Sequence, residues 1–422
     1  MSVVANVVTR ALAASGVWGG RGGGHGGNGG IHGVWGGHSP AQPAISHEHQ
    51  VGGGWWGTLH APRFPGFLGR GYPPWGGRDS HTNYYDDVPD TGVTRYYDFT
   101  IDYGNIAPDG VEIQGILING QFPAPPIEAN WGDMIQVTVH NNLGNEGTSL
   151  HWHGLLQKNT QWEDGVPSIS MCPIAPGTSH TYFFQADLYG TSWYHSHYSA
   201  QYASGAVGPL IIYGPNSTIT DYDIDVGPIM ISDWYHRRYY ELVQQTMAPI
   251  SENQLPPQSD NILINGMMNY DCSQTTMPCT HNAGVAKFAF TSGKKHRLRL
   301  INTGAEAMLK FSIDGHKMTI IANDYVPIEP YEVTSVTLGI GQRTDVIVEA
   351  DGSPDSVYWV RASAGPGVFA GGCNFNNPKA SEALAVIYYE DADKNAVPTT
   401  EAQPDAEMTS CANDALSLTK PV

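Results

Sequence analysis

Short β-rich runs, each closed by Gly, Pro or Asn, recur from about Tyr84 to Tyr389, and few segments between them keep a helical apolar period. The first half carries Arg95–Ile101, Gly115–Ile118, Ile135–His140, Thr181–Phe184 and Leu210–Tyr213. The second carries Ile229–Ser232, Phe288–Phe290, Arg297–Ile301, Met318–Ile321, Val333–Leu338, Asp345–Glu349, Val357–Val360 and Leu384–Tyr389. Ile135, Val137 and Val139 point one way while Gln136, Thr138 and His140 point the other, the pattern of a strand with one buried face. Strands at this spacing predict an all-β chain of sandwich domains. Composition agrees: with 14% charged residues, 50 Gly and 29 Pro, little is left for long solvated helices. A length of 422 residues corresponds to about two or three domains. The pentapeptide Ile-Leu-Ile-Asn-Gly occurs at Ile116–Gly120 and again 146 residues later at Ile262–Gly266, with strand-rich sequence after each copy. We therefore expect one sandwich over residues 84–213 and a second over 214–390, divided at Tyr213-Gly214-Pro215-Asn216. Residues 391–422 are polar and read as a linker or tail.

The N-terminal segment has a different character. Between Met1 and Gly77 lie 22 of the 50 glycines, with His25, His32 and His38 scattered among them. Such a composition cannot bury enough apolar area to offset its ordering entropy, so residues 1–83 are expected to be disordered. Met1–Ser15 is weakly apolar, but it lacks a basic start and is interrupted by Arg10, so it does not read as a signal peptide. The formal charge of −19 leaves nothing basic to neutralise phosphates and argues against a nucleic-acid partner. No run of about 18 apolar residues is present to span a membrane.

Two histidine pairs carry the chemistry. One is His151-Trp152-His153-Gly154 and the other Trp193-Tyr194-His195-Ser196-His197. Residues two apart on a strand share a face, so each pair presents two imidazoles to one side. One such pair is as readily an ordinary core feature. Two pairs 44 residues apart, both in apolar strand context, point to a metal. Imidazole suits copper, zinc, iron and nickel. The Cys or carboxylate partners that zinc brings at finger or HExxH spacing are not visible, which favours copper.

These motifs resemble the first two copper motifs of multicopper oxidases. Pro89-Asp90-Thr91-Gly92-Val93-Thr94, Leu117-Ile118-Asn119-Gly120, Ala129-Asn130-Trp131-Gly132-Asp133, Gly190-Thr191-Ser192 and Ser199-Ala200-Gln201-Tyr202 resemble the first domain of filamentous-fungal laccases. Asp260–Gly266, His296–Asn302 and Gly341-Gln342-Arg343 continue the likeness into a second domain, over about residues 75–420 in all. The resemblance implies tandem cupredoxin-like Greek-key sandwiches and a secreted enzyme that oxidises phenols or aromatic amines with O2. It implies copper: one type-1 ion that accepts electrons, and a cluster of one type-2 and two type-3 ions. By that likeness His151 binds the type-2 copper, His153 and His195 share one type-3 copper, and His197 binds the other. Asp164 matches an acid beside the ligands that helps proton delivery; its plainer reading is a turn residue before Gly165. Trp152 and Trp193 are expected to pack around the site.

The sequence also departs from that family. The third-domain motifs HPxHLHGH and HCHxxxH, which supply the type-1 copper and the other half of the cluster, are not found in these 422 residues. The last histidine is His316, expected at a surface turn, and no cysteine has a histidine beside it. We therefore expect a C-terminally incomplete chain, a fragment or incomplete gene model of such an enzyme, inactive alone and able to hold a partial site only; the missing third domain could only come from another chain, and an active enzyme completed in that way ranks last. The alternative is a non-enzymatic two-domain copper-binding or interaction protein. Cys373 and Cys411 match a family disulfide, and Cys172 matches a cysteine whose partner lies in the third domain. Cys272 and Cys279, seven apart, can close a local bridge. Asn216-Ser217-Thr218 is a glycosylation sequon.

Overall fold

β-branched and aromatic residues alternating with small or polar ones produce strands throughout, and two stacked pairs of sheets bury their apolar faces. The computed structural model describes residues 74–215, 221–248, 257–365, 373–374, 378–406 and 410–422. Met1–Ser15, the glycine-rich stretch with His25, His32 and His38, and the sequon at Asn216 lie outside the described residues.

The first sandwich contains β1 (Thr94–Ile106), β2 (Ile113–Ile118), β3 (Ile127–Asn130), β4 (Met134–Asn141), β5 (Leu150–Trp152), β6 (Ser179–Gln185), β7 (Gly190–Ser196) and β8 (Val207–Tyr213). One sheet has the order β2-β1-β4-β6 and the other β3-β8-β7-β5. The second sandwich contains β9 (Ile224–Trp234), β10 (Asn261–Ile264), β11 (Lys287–Ala289), β12 (Lys295–Asn302), β13 (Leu309–Ile313), β14 (Met318–Asn323), β15 (Val326–Val333), β16 (Ser335–Leu338), β17 (Arg343–Glu349), β18 (Val357–Ser363) and β19 (Glu382–Tyr388). Its sheets run β10-β9-β12-β17-β14-β15 and β11-β19-β18-β13-β16. A short helix, α1 (Tyr239–Thr246), follows β9. No helix among the described residues is long and apolar enough to cross a membrane.

The repeated pentapeptide does the same work twice. In each copy the strand ends in Asn-Gly with both residues at positive φ, Asn119 and Gly120 in one and Asn265 and Gly266 in the other. That is the left-handed pair a tight hairpin turn requires. Each Asn side chain accepts from a neighbouring strand's amide, Thr100 N at 2.7 Å for Asn119 and Met230 N at 2.7 Å for Asn265.

Three expectations need correction. The run Val333–Leu338 is two strands: β15 pairs with β14 and β16 with β13, so the chain changes sheets at Thr334. Its hydroxyl donates to Asp405 at that corner. His316 is buried, not a surface residue; its Nδ1 lies 2.8 Å from the Asp314 carbonyl and its Nε2 2.8 Å from the Tyr389 hydroxyl. Residues 74–83, read as disordered with the rest of the N-terminal segment, form turns, because Trp75 and Tyr84 find apolar surface on the first core. The segment beyond β19 lies along the second sandwich through Thr400 on Asp314, Tyr331 on Asp414 and the Cys373–Cys411 disulfide. Cys272 and Cys279 are also bonded, and Cys172 is free and exposed.

Polar contacts join the two sandwiches. His236 Nε2 lies 2.8 Å from Asp109, and Asn261 donates to the same carboxylate at 3.0 Å. Arg299, buried on β12, pairs with Asp225 at 2.6 Å and donates to the Thr191 hydroxyl on β7 at 2.9 Å. Phe122 stacks on Trp234 with ring centres 4.8 Å apart.

Asp233 accepts backbone N–H groups from Ala305, Glu306 and Ala307 at 2.7–2.8 Å. Burial, then the charge of Asp233, pushes the Glu306 carboxyl up to about 7 from an ordinary 4.5. The folded chain therefore keeps this proton where the unfolded chain has lost it. The associated stability is full below pH 4.5 and is lost as pH rises through about 7. Thermal unfolding of the wild type and Glu306→Gln across this range should show the variant gaining relative stability as pH rises. A pH-independent difference would contradict the assignment.

Candidate metal centre

Pairing between β5 and β7 brings the histidine pairs together. In their antiparallel register Leu150 faces Ser196, His151 faces His195 and Trp152 faces Tyr194. Side chains alternate along each strand, so Trp152 and Tyr194 enter the core while His151 and His195 share the opposite face. His153 and His197 follow just past the ends of these strands. The His151 ring centre lies 5.7, 5.3 and 5.4 Å from those of His153, His195 and His197. His151, His153 and His195 each offer a ligand atom within 4.8 Å of the others.

Hydrogen bonds orient the rings. His151 Nδ1 lies 2.7 Å from the Asp164 carbonyl oxygen, which can only accept, so that nitrogen carries the proton and Nε2 keeps a lone pair. His195 Nδ1 meets the Ser196 carbonyl at 3.0 Å, which leaves its Nε2 lone pair 3.4 Å from His153 Nδ1. The Trp193 ring stacks on His195 at 4.1 Å, and the Trp152 indole N–H donates to the Glu163 carbonyl at 2.9 Å.

Burial favours the neutral form of three of these imidazoles, His153, His195 and His197. It pushes His153 down to about 3, helped by the Arg343 guanidinium and the neighbouring rings. It lowers His195 well below the usual imidazole range and lowers His197 as well, with His151 adding to both. Asp164 is shifted down by its hydrogen bond to His151, against burial; its carboxylate lies 3.3 Å from His151 Nδ1. Several neutral imidazoles with converging lone pairs form a donor set that fits copper.

The second sandwich also reaches this site, through a contact that no local pattern in the chain marks. Arg343, from β17, donates through Nε to the Thr191 carbonyl at 3.0 Å, so Arg299 and Arg343 together hold the hydroxyl and the carbonyl of a residue on the strand that carries His195. Nothing in the Gly341-Gln342-Arg343 motif announces that contact, which exists only once the sandwiches pack.

Two family models, both described as multicopper oxidase, match residues 100–217 and 225–392. The chain is 44% identical over 317 residues to Laccase-2 of Botryotinia fuckeliana, covering 75% of this chain and 52% of that protein. It is 44% identical over 336 residues to a laccase of Cryphonectria parasitica, covering 79% and 54%. The solved laccase of Botrytis aclada superposes with a TM-score of 0.73 at 41% identity, covering 81% of this chain and 60% of that one. Both sandwiches are thus cupredoxin-like, and the chain spans about half the length of the relatives it matches.

Gly165, just past Asp164, has φ +77°, and a Cβ built on it would lie 1.7 Å from the Leu150 carbonyl oxygen. Gly165→Ala should therefore dislodge β5 and cost on the order of 4 kcal/mol. Gly144→Ala, at φ +80° with nothing within 4 Å, should cost only about 1–2 kcal/mol for its backbone conformation. Chemical denaturation of the two variants checks this; equal losses would contradict it.

Proposed function

The chain belongs to the multicopper oxidase family, and from that premise we propose that it supplies the first half of a laccase-type centre for oxidising phenols or aromatic amines with O2. Family membership implies copper, which when bound supplies the one-electron exchange on which such chemistry rests. The observation that carries the reading is the convergence of His151, His153 and His195, with ligand atoms within 4.8 Å, two of whose rings, His153 and His195, are held neutral by burial.

The roles follow the resemblance. His151, with Nδ1 engaged by Asp164, turns Nε2 toward a type-2 position. His153 Nδ1 and His195 Nε2, 3.4 Å apart, face one type-3 position, and His197 serves the other. Trp193 flanks His195 on the face turned toward the second sandwich, and Trp152 backs the site from the core side. Asp164, ionised and 3.3 Å from His151 Nδ1, is placed to take up and release a proton beside the ligands. No cysteine in these 422 residues has a histidine neighbour, so the type-1 site and the remaining cluster histidines are assigned to residues outside them, in a third cupredoxin domain. Two disulfides fit an oxidising, extracellular setting, in which Asn216 is a glycosylation acceptor.

Copper titration tests the reading. His151→Ala, His153→Ala and His195→Ala should each weaken binding by more than about 100-fold, beyond the 10–100-fold typical of residues behind the ligands. His140→Ala, at a half-buried histidine beside Ser179 and Asp98 on the other sheet, should leave binding unchanged. Undiminished binding in the three variants would place the metal elsewhere. A polypeptide of these 422 residues, loaded with copper, should not turn over a simple phenol; laccase-level turnover would contradict the assignment of its electron-accepting site.

A further inference from the structure

The face of His153 turned away from His195 is covered by the second sandwich. A Cβ built on Gly341 would lie 2.9 Å from His153 Cε1 and 3.0 Å from its Nε2, closer than real Cβ atoms comfortably approach. Gly341 is thus a bare backbone wall against the ring, at φ +78°. The wall is itself anchored: Gly341 N donates to the Asn302 carbonyl at 2.9 Å, and its own carbonyl accepts from Arg343 Nη1 at 3.1 Å. Arg343 passes on to the Thr191 carbonyl at 3.0 Å and lies 5.1 Å over the Tyr325 ring. Gly154, next to His153, faces the same guanidinium, 2.8 Å from the place its own Cβ would occupy. The ring also packs on Trp193 at 5.0 Å, and the His153 amide donates to the Trp193 carbonyl at 3.1 Å.

From this packing we infer that Gly341, a residue of the second sandwich, is a positioning residue for the metal centre of the first: its bare backbone presses on His153 and keeps Nδ1 turned toward His195. The inference rests on the copper reading proposed above. It makes the second sandwich part of the site although it contributes none of the converging histidines. A side chain at 341 would push the ring and separate the two nitrogens now 3.4 Å apart. Any residue would be strained there by the positive φ alone, so the test must separate strain from contact. Gly293 provides the control, at φ +73° with nothing within 4 Å.

The experiment compares Gly341→Ala with Gly293→Ala by ring ¹H–¹⁵N NMR of His153 in metal-free protein and by Cu²⁺ competition titration. Both variants should lose thermal stability. Only Gly341→Ala should shift the His153 ring resonances and weaken Cu²⁺ binding, by about tenfold or more. Unshifted resonances with equal affinity in the two variants would overturn the inference. If Gly341→Ala does not accumulate as folded protein, Arg343→Lys replaces it, since it keeps the charge but loosens the hold on the Gly341 and Thr191 carbonyls. An unmoved His153 in that variant overturns the inference equally. A wild type that binds no Cu²⁺ would defeat the copper reading instead, while the His153 resonances still decide whether Gly341 sets the ring.

Discussion

The cross-strand pair His151–His195 is the contact on which the site depends. It places two imidazoles on one face of a two-strand edge, and the following residues extend the ladder far enough for His153 and His197 to join them. A one-residue register slip of β5 would send His151 into the core and bring Trp152 out, breaking its pairing with His195. The buried aromatics therefore specify the metal centre as firmly as the histidines do. Trp152 packs on Tyr182 and Phe184 at 5.1 and 4.9 Å, and Tyr194 stacks on Phe99 at 5.4 Å. Burying such large rings is worth several kcal/mol, roughly 3–5 each by truncation, and the histidine geometry depends on it.

The second level of support comes from the neighbouring sandwich. Thr191 is gripped by Arg299 through its hydroxyl and by Arg343 through its carbonyl. Both arginines are buried, and Arg299 is neutralised by Asp225. Removing one member of such a pair strands a buried charge, which typically costs about 3–5 kcal/mol. The interface is thus stiff where it meets β7. A donor set of neutral, preorganised imidazoles needs that stiffness, because metal affinity depends on how little the ligands must rearrange.

Much of this was legible in the sequence. Strand alternation marks the runs that became β4, β12 and β17, and the two HxH motifs identify the residues that converge. The repeated Ile-Leu-Ile-Asn-Gly marks two equivalent turns, because Asn-Gly is one of the few pairs that adopt two left-handed residues cheaply. What the sequence withheld is tertiary. His316 looks like a turn residue beside Gly315, yet it is buried against Tyr389, seventy-three residues away. Val333–Leu338 looks like one strand, and only packing shows that its two ends serve different sheets. Gly341 and Arg343 lie far along the chain from His153, and no periodicity connects them. Local pattern is read from neighbours in sequence; the walls of a site between domains are not.

The central claim is that converging imidazoles on and just past β5 and β7 form a prebuilt copper site. X-ray absorption of the copper-loaded protein tests it most directly. The account predicts a nitrogen shell with the multiple-scattering signature of imidazole, from two or more rings. A shell of oxygen donors, or a single imidazole, would contradict it.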